Sequence, residues 1–165
     1  MAYNLYMNFL FVLSSLLLAT SIHAAEYQGK VVGVADGDTI TVLDSSKIQH
    51  KVRLAGIDAP EQSQAFGNRS KQSLSNLVYQ KDVTIETNKI DRYGREIGKV
   101  TRNGADVCLE QVKRGMAWWY RDYRYEQSPE DRVLYEAVED AAKAARVGLW
   151  HDKEPVAPWE FSRAK

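Results

Sequence analysis

Apolar and polar positions alternate along the first half of the chain in short runs separated by turn signals. Val31-Val32-Gly33-Val34, within residues 27–35, predicts a strand with bends or bulges at Gly29 and Gly33. Asp36-Gly37-Asp38 then reads as a turn, and Thr39-Ile40-Thr41-Val42-Leu43 resumes the alternation. Asp44-Ser45-Ser46 turns the chain again into a third strand over 48–57. Ile48, His50, Val52 and Leu54 fall on one face of it, and Gln49, Lys51 and Arg53 on the other. Strands joined by such short turns predict an antiparallel meander.

The period changes over 64–79, where Phe66, Leu74, Leu77 and Val78 take helical spacing. Strands return at 83–87 and 96–101 on either side of a turn at 91–95, and Asn103-Gly104 closes that pair. A second helix is predicted over 105–116 with Ala105, Cys108, Leu109, Val112 and Met116 as its apolar stripe, and the aromatic run Trp118-Trp119-Tyr120 follows. The last helix is the best signalled. Ser128 is its N-cap, Pro129 its first residue, and Glu130 and Asp131 sit in its first turn. Val133, Leu134, Ala137, Val138, Ala141 and Ala145 supply the stripe expected to be buried, with Gly148 at C′. Pro155 and Pro158 mark the tail, 152–165, as extended.

This order predicts an α+β, mainly β, fold: a five-stranded Greek-key OB barrel with three helices, over a domain at 25–151. Such barrels often bind oligonucleotides or oligosaccharides on one face, but a fold does not by itself give a function.

A chain of 165 residues suits one domain, and 44% hydrophobic with 27% charged residues is globular composition. Lys and Arg balance Asp and Glu at 22 each, with the basic excess in the barrel region and the acidic excess after it. That is too weak a bias for a protein that coats duplex nucleic acid, though it permits a local basic pocket. Residues 1–24 carry no charged side chain, have an apolar run from Phe9 to Ala19 and end in small residues, which predicts a signal peptide and export to the periplasm or medium. The alternative, an uncleaved anchor, needs an apolar run of roughly 20 residues. The single cysteine excludes an intrachain disulfide and a cysteine-based zinc site, and its place on a helix stripe reads as a small buried hydrophobe.

The candidate chemistry centres on Arg53-Leu54-Ala55-Gly56-Ile57-Asp58-Ala59-Pro60-Glu61, where an arginine and two carboxylates arrive at the exit of the third strand. Asp36 and Asp38 flank a glycine turn. Taken alone, that turn is an ordinary hairpin. Together, Asp38, Asp58 and Glu61 near neighbouring strand ends would repel one another unless a cation neutralised them, and hard oxygen donors suit Ca²⁺ or Mg²⁺. Arg53 and Arg95 each read alone as structural ion pairs, Arg95 with Asp91 for instance. Beside an acid cluster, their planar forks suit a phosphate diester.

Asp-Gly-Asp-Thr, Arg-Leu-Ala-Gly-Ile-Asp-Ala-Pro-Glu and Asp-Arg-Tyr-Gly-Arg, in this order, resemble the staphylococcal nuclease family; Gly-Met-Ala-Trp and Val-Gly-Leu-Trp extend the likeness from about Tyr27 to Trp150. The resemblance implies an OB-fold, Ca²⁺-dependent endonuclease that cleaves DNA and RNA with little sequence specificity, prefers single strands, leaves 3′-phosphate ends and acts as a monomer. Mg²⁺ or Mn²⁺ are alternative ions. It further implies Asp38, Asp58 and the Ala59 carbonyl as metal ligands, with Asp36 behind them. Glu61 would be the general base or the group that orders the attacking water, and Arg53 and Arg95 the phosphate clamps. Tyr93 would contact the terminal phosphate or sugar, and Trp118 and Tyr120 the bases. Ala59 stands where the family often has threonine, Trp118 where its prototype has tyrosine, and the lysine-rich excursion after Glu61 is missing. Two rival readings are a non-catalytic OB module for single-stranded nucleic acid or a protein tail, and a Ca²⁺-stabilised structural domain.

Overall fold

In the computed structural model, which describes residues 25–164, the alternating runs become the strands of a closed barrel. The expected signal peptide lies outside the described residues. β1 (Ala25–Val34), β2 (Thr39–Asp44) and β3 (Gln49–Leu54) form the antiparallel meander, with Val31 opposite Val42 and Val42 opposite His50. After the two-residue strand β4 (Ile57–Asp58) and helix α1 (Gly67–Val78), β5 (Asp82–Ile90) pairs with the free edge of β1, and β6 (Glu96–Arg102) pairs with β5. A parallel pairing of β6 with β3, Arg53 opposite Ile97, closes the ring. β1 serves two neighbours at once, Gly29 and Lys30 pairing with both β2 and β5, and a bulge between Val31 and Gly33 gives it the needed bend.

Val31, Ile40, Val42, Val52, Leu54, Ile85 and Val100 fill the interior and are wholly buried. Each such side chain contributes roughly 1.5–3 kcal/mol on burial. The strand ends that carry the polar residues are therefore held by a packed frame. Leu74 and Val78 of α1 join this core, as do Cys108 and Val112 of α2 (Val107–Lys113). Burial pushes the Cys108 thiol far up, which fits its reading as a hydrophobe.

Several expectations are corrected. The third strand stops at Leu54; Gly56, at φ 73°, turns the chain, and Ile57–Asp58 pairs instead with β8 (Trp118–Trp119) in a second small sheet. Ile48, placed on one face with Val52 and Leu54, precedes β3 and is exposed. α1 begins at Gly67 rather than at 64, because Phe66 takes a left-handed conformation. Asn103-Gly104 joins β6 to a short β7 (Ala105–Asp106), and α2 starts only after Asp106, whose side chain accepts from Leu109 N–H.

The largest correction is the buried face of α3 (Pro129–Ala144). Ser128 caps it as expected, accepting from Asp131 N–H at 3.0 Å. The face that packs, however, is Tyr135, Val138, Glu139 and Ala142, while Val133 is 70% and Leu134 46% exposed. Polar anchors set the rotation. Tyr135 donates to Asp106 at 2.9 Å, and the fully buried Glu139 takes Trp119 N–H, Arg121 and Lys143. The left-handed C′ residue is Arg146, followed by a Val147 N–H to Ala142 carbonyl bond, so Gly148 lies beyond the cap. The tail is extended only in part: Pro158–Arg163 is a helix, α4, with Pro158 in its first turn where a missing N–H costs nothing.

Candidate active site

The Asp36-Gly37-Asp38 turn enters β2 at the barrel end where β3 leaves. Its shape is fixed from beneath. A side chain at Gly37 would lie 1.8 Å from Ser70 Oγ, so only glycine lets the turn settle on α1. Gln111, wholly buried on α2, donates from Nε2 to the Gly37 carbonyl at 2.8 Å and to the Ser70 carbonyl at 3.2 Å, and its Oε1 accepts from Ser73 at 2.7 Å. Asp36 Oδ1 accepts Asp38 N–H at 3.0 Å. Asp38 then reaches across to the other loop, where its Oδ2 accepts Ala59 N–H at 2.9 Å. The two acid-bearing loops are thus bonded to each other.

Arg53 stands between them, donating to Asp58 Oδ1 at 2.8 Å and lying 3.8 Å from Asp38 Oδ2. One guanidinium does not satisfy the group. Burial first, and then repulsion from Asp38, pushes Asp36 up to about 6 and Asp58 up to about 7, the latter in spite of the opposing pull of Arg53. The cluster is short of positive charge.

On the far wall, Asp91 organises the β5–β6 turn by accepting from Tyr93 N–H, Arg95 N–H and Arg95 Nε at 2.8–2.9 Å. The ion pair expected as the structural alternative therefore exists, and it engages Arg95 through Nε while Arg95 lines the cleft. Arg92 and Arg95 both lie over the Tyr93 ring. Glu61 occupies the loop before α1, which folds so tightly that a side chain at Gly67 would lie 2.1 Å from the Glu61 carbonyl oxygen.

These pieces line one cleft of about 840 Å³, which holds Asp36, Asp38, Arg53, Asp58, Ala59, Glu61, Tyr93, Arg95 and Tyr120. Nine of the ten residues singled out from sequence are thereby brought together. The tenth, Trp118, is not among them. It packs edge-on against Trp150, with ring centroids 4.3 Å apart, and lines a neighbouring apolar cavity of about 180 Å³ with Phe66 and Leu149. There it packs on the small apolar cluster of Ala142, Leu149 and Trp150 at the end of α3.

Sequence reasoning missed Gln111, whose signal was a polar residue on an otherwise apolar helix stripe. It also missed Trp159, Ser162 and Arg163 of α4, which complete the cleft wall. Nothing in the proline-flanked tail pointed to them.

The acids fit a hard divalent cation. All donors are oxygens, and two of the carboxylates are held above their usual range by burial and by repulsion from Asp38. Among the described residues, no three His, Cys, Asp or Glu side chains stand close enough to hold an ion alone. An ion here would take Asp38 and Asp58 and complete its shell from the Ala59 carbonyl and water.

A closed five-stranded OB barrel with an acid-and-arginine cleft at its strand ends defines the class. Residues 51–152 match the family model described as "Staphylococcal nuclease homologue", and the chain belongs to the staphylococcal nuclease family. It is 42% identical to a protein of Haemophilus influenzae named "Uncharacterized endonuclease", over 92% of this chain and 84% of that one. It is 39% identical to a protein of Shigella flexneri named "Micrococcal nuclease", over 93% and 91%. It is 40% identical to "Protein ParB" of Escherichia coli, over 90% and 86%.

Proposed function

We propose that this protein is an exported, Ca²⁺-dependent endonuclease that hydrolyses phosphodiester bonds of DNA and RNA with little sequence specificity. The observation that carries this reading is the convergence of Asp38, Asp58, Glu61, Arg53 and Arg95 in one cleft. Membership of a nuclease family and the names of its relatives support it. Export rests on the apolar leader, and the ion on the oxygen donors. A bound Ca²⁺ would offset charge developing on the phosphate oxygens.

The residues divide the work as follows. Arg53 and Arg95 grip the non-bridging phosphate oxygens and stabilise the charge that grows on them. Glu61 takes a proton from water as the water oxygen bonds to phosphorus. The P–O5′ bond breaks, the 5′ oxygen takes a proton from solvent, and the phosphate stays on the 3′ side. Asp36 and the Gln111 network hold the turn that carries Asp38. Tyr93 contacts the sugar–phosphate backbone, and Tyr120 offers a ring to unpaired bases, which favours single strands. The protein acts as a monomer.

The test is cleavage of single-stranded DNA and RNA with Ca²⁺, Mg²⁺, Mn²⁺ or chelator, with Glu61→Gln as control. Cleavage of both polymers is expected with Ca²⁺. The variant should still bind but turn over about 10²–10⁴-fold more slowly. Binding without cleavage in any metal would replace the enzyme by an OB binding module.

A further inference from the structure

Helix α4 lines the cleft and touches two residues of the proposed site, Tyr120 and Glu61. The Trp159 ring is parallel to Tyr120, with 5° between the planes and 5.1 Å between centroids. Ser162 Oγ donates to Glu61 Oε1 at 3.2 Å. This is a built contact. Ala157 and Pro158 are buried at the helix start. The Val156 carbonyl accepts from Gln64 Nε2, and Gln64 Oε1 accepts Glu61 N–H. Glu61 is therefore connected to the tail twice, through its carboxylate by Ser162 and through its backbone by way of Gln64.

We propose that α4 is a working wall of the active site, with Trp159 as a nucleobase-stacking residue and Ser162 as a positioning residue for Glu61. The inference rests on the nuclease reading above and adds a base subsite to it. Trp118, expected to stack bases, lines the neighbouring cavity, while Trp159 lines the cleft and stacks on Tyr120, extending that aromatic stack. An indole face stacks on any base, which suits a site with little sequence preference. Glu61 is on an exposed loop, and a free glutamate samples many rotamers. A hydroxyl donating to Oε1 fixes the carboxylate plane and leaves Oε2 to take the proton from water.

The test uses the full chain and two single-stranded oligonucleotides, one normal and one abasic on both sides of the scissile bond. Trp159→Ala is expected to raise KM about tenfold on the normal strand and leave the abasic strand unchanged, with Trp159→Phe recovering most of the loss. Ser162→Ala is expected to lower kcat about fivefold at constant KM, and Ser162→Thr, which keeps the hydroxyl, to restore it. Equal losses on both strands would reduce Trp159 to a structural role and overturn the base subsite. A Ser162→Thr variant as slow as Ser162→Ala, or alanine variants faster than the parent, would overturn the positioning role and make α4 a cover. Absence of cleavage by the unaltered chain in every metal would overturn the nuclease reading itself, before any variant is compared.

Discussion

The strand pair β2–β3 carries a polar cluster at each end, and the two clusters resolve their charge in opposite ways. At the Asp44 end, His50 sits between two carboxylates, Nε2 3.1 Å from Asp44 and Nδ1 2.8 Å from Glu96, while Tyr27 donates to the other Glu96 oxygen at 2.6 Å. Both ring nitrogens face acceptors, so the hydrogen bonds of Asp44 and Glu96 push the His50 pKa up, and the bond from His50 pulls Asp44 down. That end satisfies its hydrogen bonds internally, with one imidazole bridging both acids. At the cleft end, similar acids gather around one arginine, and burial with mutual repulsion pushes Asp36 and Asp58 up. A satisfied cluster serves the fold; an unsatisfied one, in a cleft, awaits a ligand.

The sharpest test of this contrast is Asp58→Asn. The amide oxygen can still accept from Arg53, so only the charge is lost. Cleavage should fall by about 10²-fold or more, because a proposed metal ligand and its field are gone. Stability in chelator should move the other way, rising by about 1 kcal/mol at pH 8 and by clearly less at pH 5, where the folded protein holds Asp58 protonated and only the unfolded chain has ionised. Urea unfolding at the two pH values measures it. Equal destabilisation at both would mean that the cleft acids are not in conflict.

A smaller effect follows for the ion itself. Asp36 and Asp58 have folded values raised above the unfolded 3.8, so the stability they contribute is present below that value and lost as pH rises through about 6 to 7. The metal-free protein should lose on the order of 2 kcal/mol across that window. Ca²⁺ should restore a similar amount at pH 8 and little at pH 5, where protons compete for the same oxygens. Thermal melting with and without Ca²⁺ at both values reads this directly. A pH-independent shift would place the ion elsewhere.

How much of this was legible beforehand follows from where the information lies. The barrel was readable because alternation over β2 and β3 reflects burial on one side of each strand, and the cleft was readable because its acids and arginines sit in short motifs beside those strands. The α3 face was not, since counting apolar residues favours Val133 and Leu134, whereas the rotation is set by Tyr135 and Glu139 finding buried partners on other elements. Trp118 was misplaced for a related reason. Its neighbours, Ala142, Leu149 and Trp150, lie on elements further along the chain, which the aromatic run itself does not reveal. The part played by α4 was illegible because Ser162 and Glu61 meet across 101 positions, and two prolines made the segment look extended when one of them starts a helix.

The smallest effect tests the quiet end of the strand pair. His50→Gln replaces an imidazolium with an amide that can hydrogen-bond but brings no positive charge between Asp44 and Glu96. The folded His50 value lies above the unfolded 6.5, so the stability it lends is full below pH 6.5 and fades as pH rises through the raised value. With solvent screening, the loss at pH 6 should be about 1 kcal/mol, and it should narrow toward zero in alkaline solution, where the native imidazole is neutral as well. Paired denaturation curves at pH 6 and pH 9 would check both points. Cleavage should be unchanged, because His50 is not among the residues that line the cleft. A matching loss of rate would mean that charge at one end of β2–β3 is felt at the other, and the two clusters would have to be treated as a single electrostatic unit.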